Sequence, residues 1–115
     1  MRYKISSSSP IMKILAVTLL LAPGLHAQNA GADLFNGKCS HCHGVDGMGN
    51  TPAGKAHHVP AFTAPEILKM SGADLIAIVK NGKGKMPSYG NRLSDAQIQE
   101  AVGYVRTLQK QAKKD

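Results

Sequence analysis

The chain has 115 residues, 14 Lys and Arg against 7 Asp and Glu, a formal net charge of +7, and only five aromatic residues of the Phe and Tyr type with no tryptophan. That length accommodates one domain. Few aromatics and no arginine cluster exclude a nucleic-acid-binding surface, so the basic excess points to acidic protein partners, where charge raises the encounter rate.

In chain order, the first feature is a leader. Arg2, Lys4 and Lys13 precede the apolar run Ile14 to Ala22, which Pro23 and Gly24 break before a small residue at Ala27. This is the layout of a secretory signal peptide over residues 1–27. MKILAVTLLLAPGLHA, starting at Met12, is itself a short but sufficient signal. Nine apolar residues fall short of the ~20 that a membrane-spanning helix needs, and no cysteine directly follows the run to carry a lipid. Export to the periplasm without stable membrane insertion is therefore expected. Residues 28–115 form the expected domain, with eleven basic and seven acidic side chains and a net charge of +4.

The domain reads as all-α, with about four short helices between glycine-rich loops. Residues 29–39 suggest a first helix with Gly31 and Phe35 four apart on one face. Residues 44–62 carry no sustained period and read as a long loop. Residues 64–70 suggest one or two helical turns, with Pro65 at a tolerated first position. Ser71 and Asp74 cap a further helix whose apolar stripe is Leu75, Ile78 and Val79, ended by Asn81-Gly82. After a second loop over 81–92, Ser94 and Gln97 form a capping box. Ile98, Ala101, Val102, Val105 and Leu108 then share one helical face. A domain of this size barely sustains a core of its own, and this one has few large apolar side chains. A buried cofactor is expected to fill its middle.

Both cysteines of the chain lie in CSHCHG, residues 39–44. A structural zinc site needs two more ligands at suitable spacing, and the only later histidines, His57 and His58, are adjacent. A thioredoxin-like pair expects a strand–helix setting, which this sequence does not suggest. C-x-x-C-H is the pattern of covalent haem attachment. Two intervening residues let Cys39 and Cys42 add to the two vinyl groups along one edge of a haem, and His43 is then held beside the iron as an axial ligand. His41 reads as a solvated residue between the anchors.

The sixth coordination site decides between ligand chemistry and electron transfer. Met48 is five residues from His43, a reach of at most ~17 Å, nearly all of which would go into wrapping the haem edge. Met70 closes a short helix, where methionine ordinarily fills the core. Met86 lies between helices in NGKGKMPSYG, and Pro87 stiffens the chain behind it. A thioether on such a loop suits the second axial position and favours reduced iron.

CSHCHG, the KMPSYG loop and the final LSDAQIQEAVGYVRTL helix together resemble a class I cytochrome c, nearest in type to the small bacterial c6 and c551/c555 monohaem proteins. The resemblance implies one covalent haem c per chain, His43 and Met86 as axial ligands, and a crossing of the first and last helices at Gly31, Phe35 and Tyr104. It also implies a proline carbonyl that accepts the proton on the far nitrogen of His43, fixing its ring. Pro60 matches that role, with Pro52 the alternative. The implied function is one-electron transfer by a monomer to redox partners with acidic docking surfaces, Lys80, Lys83 and Lys85 contributing to a steering ring, and no enzyme activity. The alternatives are a haem enzyme or ligand sensor whose open sixth site takes donors from His57 or His58, and a dedicated subunit of a respiratory or oxidising complex.

Overall fold

A computed structural model describes the backbone from Gly24 and the side chains from Asn29 to the C-terminus. The leader expected over residues 1–27 lies, up to residue 23, outside the described residues. Six helices follow in order among the described residues: α1 (Gly24–Lys38), α2 (Ser40–His43), α3 (Pro52–Ala56), α4 (Pro65–Leu68), α5 (Gly72–Asn81) and α6 (Asp95–Gln111). No strand occurs among the described residues, and the one β-type pairing is an isolated bridge between Lys83 and Met86. The all-α expectation holds.

Two helices exceed the expected number. α2 is the C-x-x-C-H segment itself, a single turn continuing from α1, with Cys39 N–H bonded back to the Phe35 carbonyl at 2.8 Å. α3 arises inside the stretch expected to be loop. Thr51 caps it by accepting from Gly54 N–H, and Pro52 occupies its first position; five residues are too few to show a helical period. α1 also begins five residues ahead of the expected Asn29, because nothing between Pro23 and that position stops a helix.

α5 and α6 form where their capping boxes place them, and in both the two reciprocal bonds are made. Each satisfies two of the donors that a helix start leaves orphaned. Along α6 the apolar stripe is buried at Ile98, Ala101, Val102 and Leu108. Leu93, Ile98 and Val102 form the centre of a cluster against which Leu34 of α1, Leu75, Ile76 and Val79 of α5, and Tyr89 pack.

α1 crosses α6 at Gly31. A Cβ there would overlap the Glu100 carbonyl oxygen and stand 3.3 Å from Tyr104 Cβ, so only glycine lets the backbones approach this closely. One turn on, Phe35 is 1% exposed, its ring 5.4 Å from that of Tyr104 and 5.9 Å from that of Phe62. The crossing expected at Gly31, Phe35 and Tyr104 is present.

The buried and the exposed extremes of helical glycine separate in a mutational test. Gly31→Ala forces two backbones apart and is expected to cost about 1–3 kcal/mol, in spite of the ~1 kcal/mol by which helix propensity favours alanine. Gly103→Ala, on α6 where a Cβ meets nothing within 4 Å, is expected to stabilise by about 0.5–1 kcal/mol. Denaturant midpoints of the two haem-loaded variants check both signs.

Candidate functional site

Between the α1–α2 segment, the loops and the α5–α6 pair lies a cavity of about 360 Å³, partly open to solvent. Cys39, Cys42 and His43 line it, and so do Pro60, Met70 and Met86. Residues spread over nearly fifty positions of sequence thus converge on one volume. Its remaining wall is mostly apolar, with Phe35, Ile67, Leu75, Ile78 and Val105 among the contributors. Neither His41 nor Met48 nor Pro52 belongs to the wall. Met48 is engaged elsewhere, its sulfur accepting the Thr63 hydroxyl at 3.6 Å.

The motif is held by bonds to its own carbonyls. The Thr51 hydroxyl donates to the Cys42 carbonyl at 2.9 Å, and Gly49 N–H donates to the His43 carbonyl at 2.7 Å. No disulfide joins Cys39 to Cys42. Burial, and then the neighbouring Cys42, push the Cys39 thiol above its ordinary value. Burial holds the His43 imidazole below its ordinary range, which favours the neutral form that ligates metals.

His43 is stacked by Phe62, with ring centroids 4.8 Å apart and planes inclined by 26°. Phe62 is itself fixed at both backbone groups: its N–H donates to the Gly47 carbonyl at 2.9 Å, and its carbonyl accepts from buried Gln109 Nε2 at 2.9 Å. Nδ1 of His43 is buried with no hydrogen-bond partner. The bond expected from this nitrogen to the Pro60 carbonyl is therefore not made. The segment carrying Pro60 is pinned instead through Val59 N–H to the Gly54 carbonyl and through Phe62, so Phe62 meets the ring while Pro60 lines the cavity. Phe62 was not foreseen as part of the site; its one local signal is an aromatic residue two positions after Pro60 in a glycine-rich loop.

Met86 sits on a loop closed upon itself. Lys83 and Met86 exchange backbone bonds at 3.1 and 2.9 Å. Gly82, with φ at +76°, turns the chain out of α5; a Cβ there would stand 2.8 Å from the Met86 carbonyl and 2.9 Å from Ser88 N. The loop returns to the end of α5 through Tyr89 N–H to the Val79 carbonyl, Gly90 N–H to the Lys80 carbonyl and the Ser88 hydroxyl to that same carbonyl at 2.6 Å.

Around the cavity mouth stand Lys38, His57, His58, Lys83 and Lys85, all exposed, and no carboxylate lines the wall. Lys80, grouped with the loop lysines on sequence grounds, is not among them. Its ammonium is bound to the Asp95 carboxylate at 2.8 Å, tying α5 to the start of α6.

A neutral buried imidazole, two thiols one helical turn apart, a thioether on a facing loop and an apolar wall make a donor set that fits haem. Comparisons with known proteins agree. Residues 26–105 match the family described as cytochrome C oxidase, cbb3-type, subunit III. A cytochrome c6 of Synechococcus sp. is 38% identical, the alignment covering 83% of this chain and 88% of that protein. The cbb3-type cytochrome c oxidase subunit FixP of Azorhizobium caulinodans is 36% identical over 76% of this chain but 29% of its own length. Among solved structures, the KustC0563 c-type cytochrome superposes with a TM-score of 0.62 at 28% identity, covering 68% of this chain and 95% of that one. Family match, full-length relatives and fold together place the chain among the class I cytochromes c, a small electron-transport protein whose cofactor is covalently bound haem c.

Proposed function

We propose that the chain is an exported, diffusible one-electron carrier in which Cys39 and Cys42 anchor the haem and His43 and Met86 are its axial ligands. The observation that carries this reading is the convergence of all four side chains on one apolar cavity. When bound, haem c supplies a one-electron ferric/ferrous couple whose potential follows its axial ligands and their surroundings.

The protein's own contribution is to bind, orient and exclude water. The Thr51 and Gly49 bonds to the Cys42 and His43 carbonyls hold both thioether positions and the imidazole on one rigid turn. Phe62 fixes the tilt of the imidazole from one face. The closed loop from Lys83 to Gly90 presents the Met86 thioether from a different element, and the apolar wall keeps the surroundings of low dielectric. With both axial positions taken by side chains no place remains for a substrate, so the reading is of a carrier and not an enzyme. Residues 1–27 as an export signal and 28–115 as the haem domain fit the covalent haem, which is attached outside the cytoplasm. Among the described residues no helix is long and apolar enough to cross a membrane. The periplasm is the compartment this implies.

The docking face is the cavity mouth, where Lys38, Lys83 and Lys85 meet redox partners with acidic surfaces, the chain acting as a monomer. A haem enzyme or sensor with an open sixth site would draw on His57 and His58, which do reach the mouth. The similarity to part of FixP favours the reading as a unit of an oxidising complex. Both use the same four haem contacts or three of them, and ligand spectroscopy separates the first.

Matured with a c-type haem attachment system, the wild type is expected to show a ferrous c-type spectrum and the weak far-red ferric band of iron–sulfur ligation. Met86→Leu is expected to abolish that band and lower the midpoint potential, since thioether ligation favours reduced iron. A wild type lacking the band, with high-spin features, would establish the open-site alternative. Cys39→Ser with Cys42→Ser is expected to leave no haem that resists acid–acetone extraction. Lys83→Glu with Lys85→Glu is expected to slow reduction of an acidic partner about tenfold at low salt, the gap closing as ionic strength rises.

A further inference from the structure

The Met86 loop is closed by its own bonds and tied to the elements on either side of it. Its backbone and hydroxyl bonds, from Lys83 through Gly90, stay within the loop, go to Val79 and Lys80 at the end of α5, or bring Arg92 and Leu93 N–H to the Tyr89 carbonyl ahead of α6. None of these fixes the distance between the loop and the opposite wall, where Cys39, Cys42 and His43 stand. One side chain does span that gap. The Tyr89 hydroxyl donates to the Lys38 carbonyl at 3.1 Å, joining positions 51 apart in sequence.

The acceptor is well suited. Lys38 ends α1 and directly precedes Cys39. The N–H of Cys42, four residues on, turns to the Cys39 carbonyl at 3.2 Å, and a helix's last carbonyls ordinarily lack a partner within the helix. The donor is held too. The Tyr89 ring packs on the Leu93–Ile98–Val102 cluster, and the Arg92 guanidinium lies over it at 5.7 Å. Burial raises the phenol's pKa above its ordinary value, so the hydroxyl stays a donor at neutral and mildly alkaline pH.

We propose that Tyr89 is a positioning residue for the sixth ligand: its hydroxyl, bonded to the Lys38 carbonyl, latches the Met86 loop to the thiol-bearing segment and sets how readily Met86 leaves the iron. The proposal deepens the function above and rests on the reading of Met86 as a ligand. Loop and haem segment are joined twice when the cofactor is present, once through the iron and once through this bond. Loss of the hydroxyl removes the bond that holds the loop to the thiol-bearing segment whenever the thioether dissociates. An outside ligand binds only to the fraction of molecules in which Met86 has left, so its apparent affinity rises with that fraction.

Imidazole titration of the ferric holoprotein, followed by the shift of the main haem absorption band in every variant and also by loss of the far-red band where Met86 is present, reads this fraction. Tyr89→Phe keeps the ring and removes only the donor. It is expected to bind imidazole about three- to tenfold more tightly than the wild type, the range set by the net worth of one hydrogen bond. In a Met86→Leu background, where no thioether competes, the same change is expected to leave imidazole affinity unaltered. A Tyr89→Phe protein that melts at a lower temperature but binds imidazole as the wild type does would overturn the latch and leave the phenol a purely structural group. An equal gain in affinity with and without Met86 would also overturn it, by showing that the hydroxyl acts on access and not on ligand release. A wild type without the far-red band would instead remove the ligand reading beneath it.

Discussion

The close approach of α1 to α6 at Gly31 is the constraint from which the site follows. Backbone meets backbone there, Glu100 carbonyl against the glycine, and no side chain can be inserted to adjust the crossing. Phe35 then lands at a fixed depth against Tyr104 and Phe62, its centroid 6.5 Å from that of His43. Cys39 follows exactly one turn later in the same helical path, its N–H still bonded to the Phe35 carbonyl. The turn that bears the C-x-x-C-H motif is thus an extension of the helix that makes the crossing.

Around that axis the cavity is walled by elements that would have little to pack on without a cofactor. The buried hydrophobic core at the α5–α6 side consists of Leu93, Ile98 and Val102, and α2 to α4 are four or five residues long with only Gly54 among their fully buried residues. Helices so short have negligible stability alone. Their bonds to the motif carbonyls and the apolar surface they turn toward the cavity give them a position. Haem therefore contributes to the fold as a core group as well as to electron transport.

What could be read from the sequence is what sits within a few residues of itself. The capping boxes at Ser71 and Ser94, the C-x-x-C-H run and the face shared by Ile98, Ala101, Val102 and Leu108 are local patterns, and each appears where its spacing puts it. The α1–α6 crossing came through family resemblance, since nothing in Gly31 alone points to Glu100. Long-range pairings were out of reach. Phe62 against His43, Tyr89 to Lys38 and Lys80 to Asp95 join residues fifteen to fifty-one apart. Lys80 is paired with Asp95, and Phe62 stacks on the face of the imidazole, whose Nδ1 finds no acceptor at Pro60.

The last helix also carries two polar clamps. Gln109 Nε2 holds the Phe62 carbonyl, and Arg106 donates to the Met70 carbonyl at 2.6 Å and to Gln109 at 2.9 Å. The residue that stacks on His43 and the methionine at the cavity wall are thus both secured from the C-terminal end of the chain, as is the α1 crossing. Contacts of such sequence separation form only after long loops have closed. An unfolded chain therefore holds the C-x-x-C-H segment exposed for as long as α6 has not docked against α1 and Phe62. The topology leaves the thiols accessible until α6 docks, an order of events suited to a cofactor that must be joined covalently before the protein closes over it.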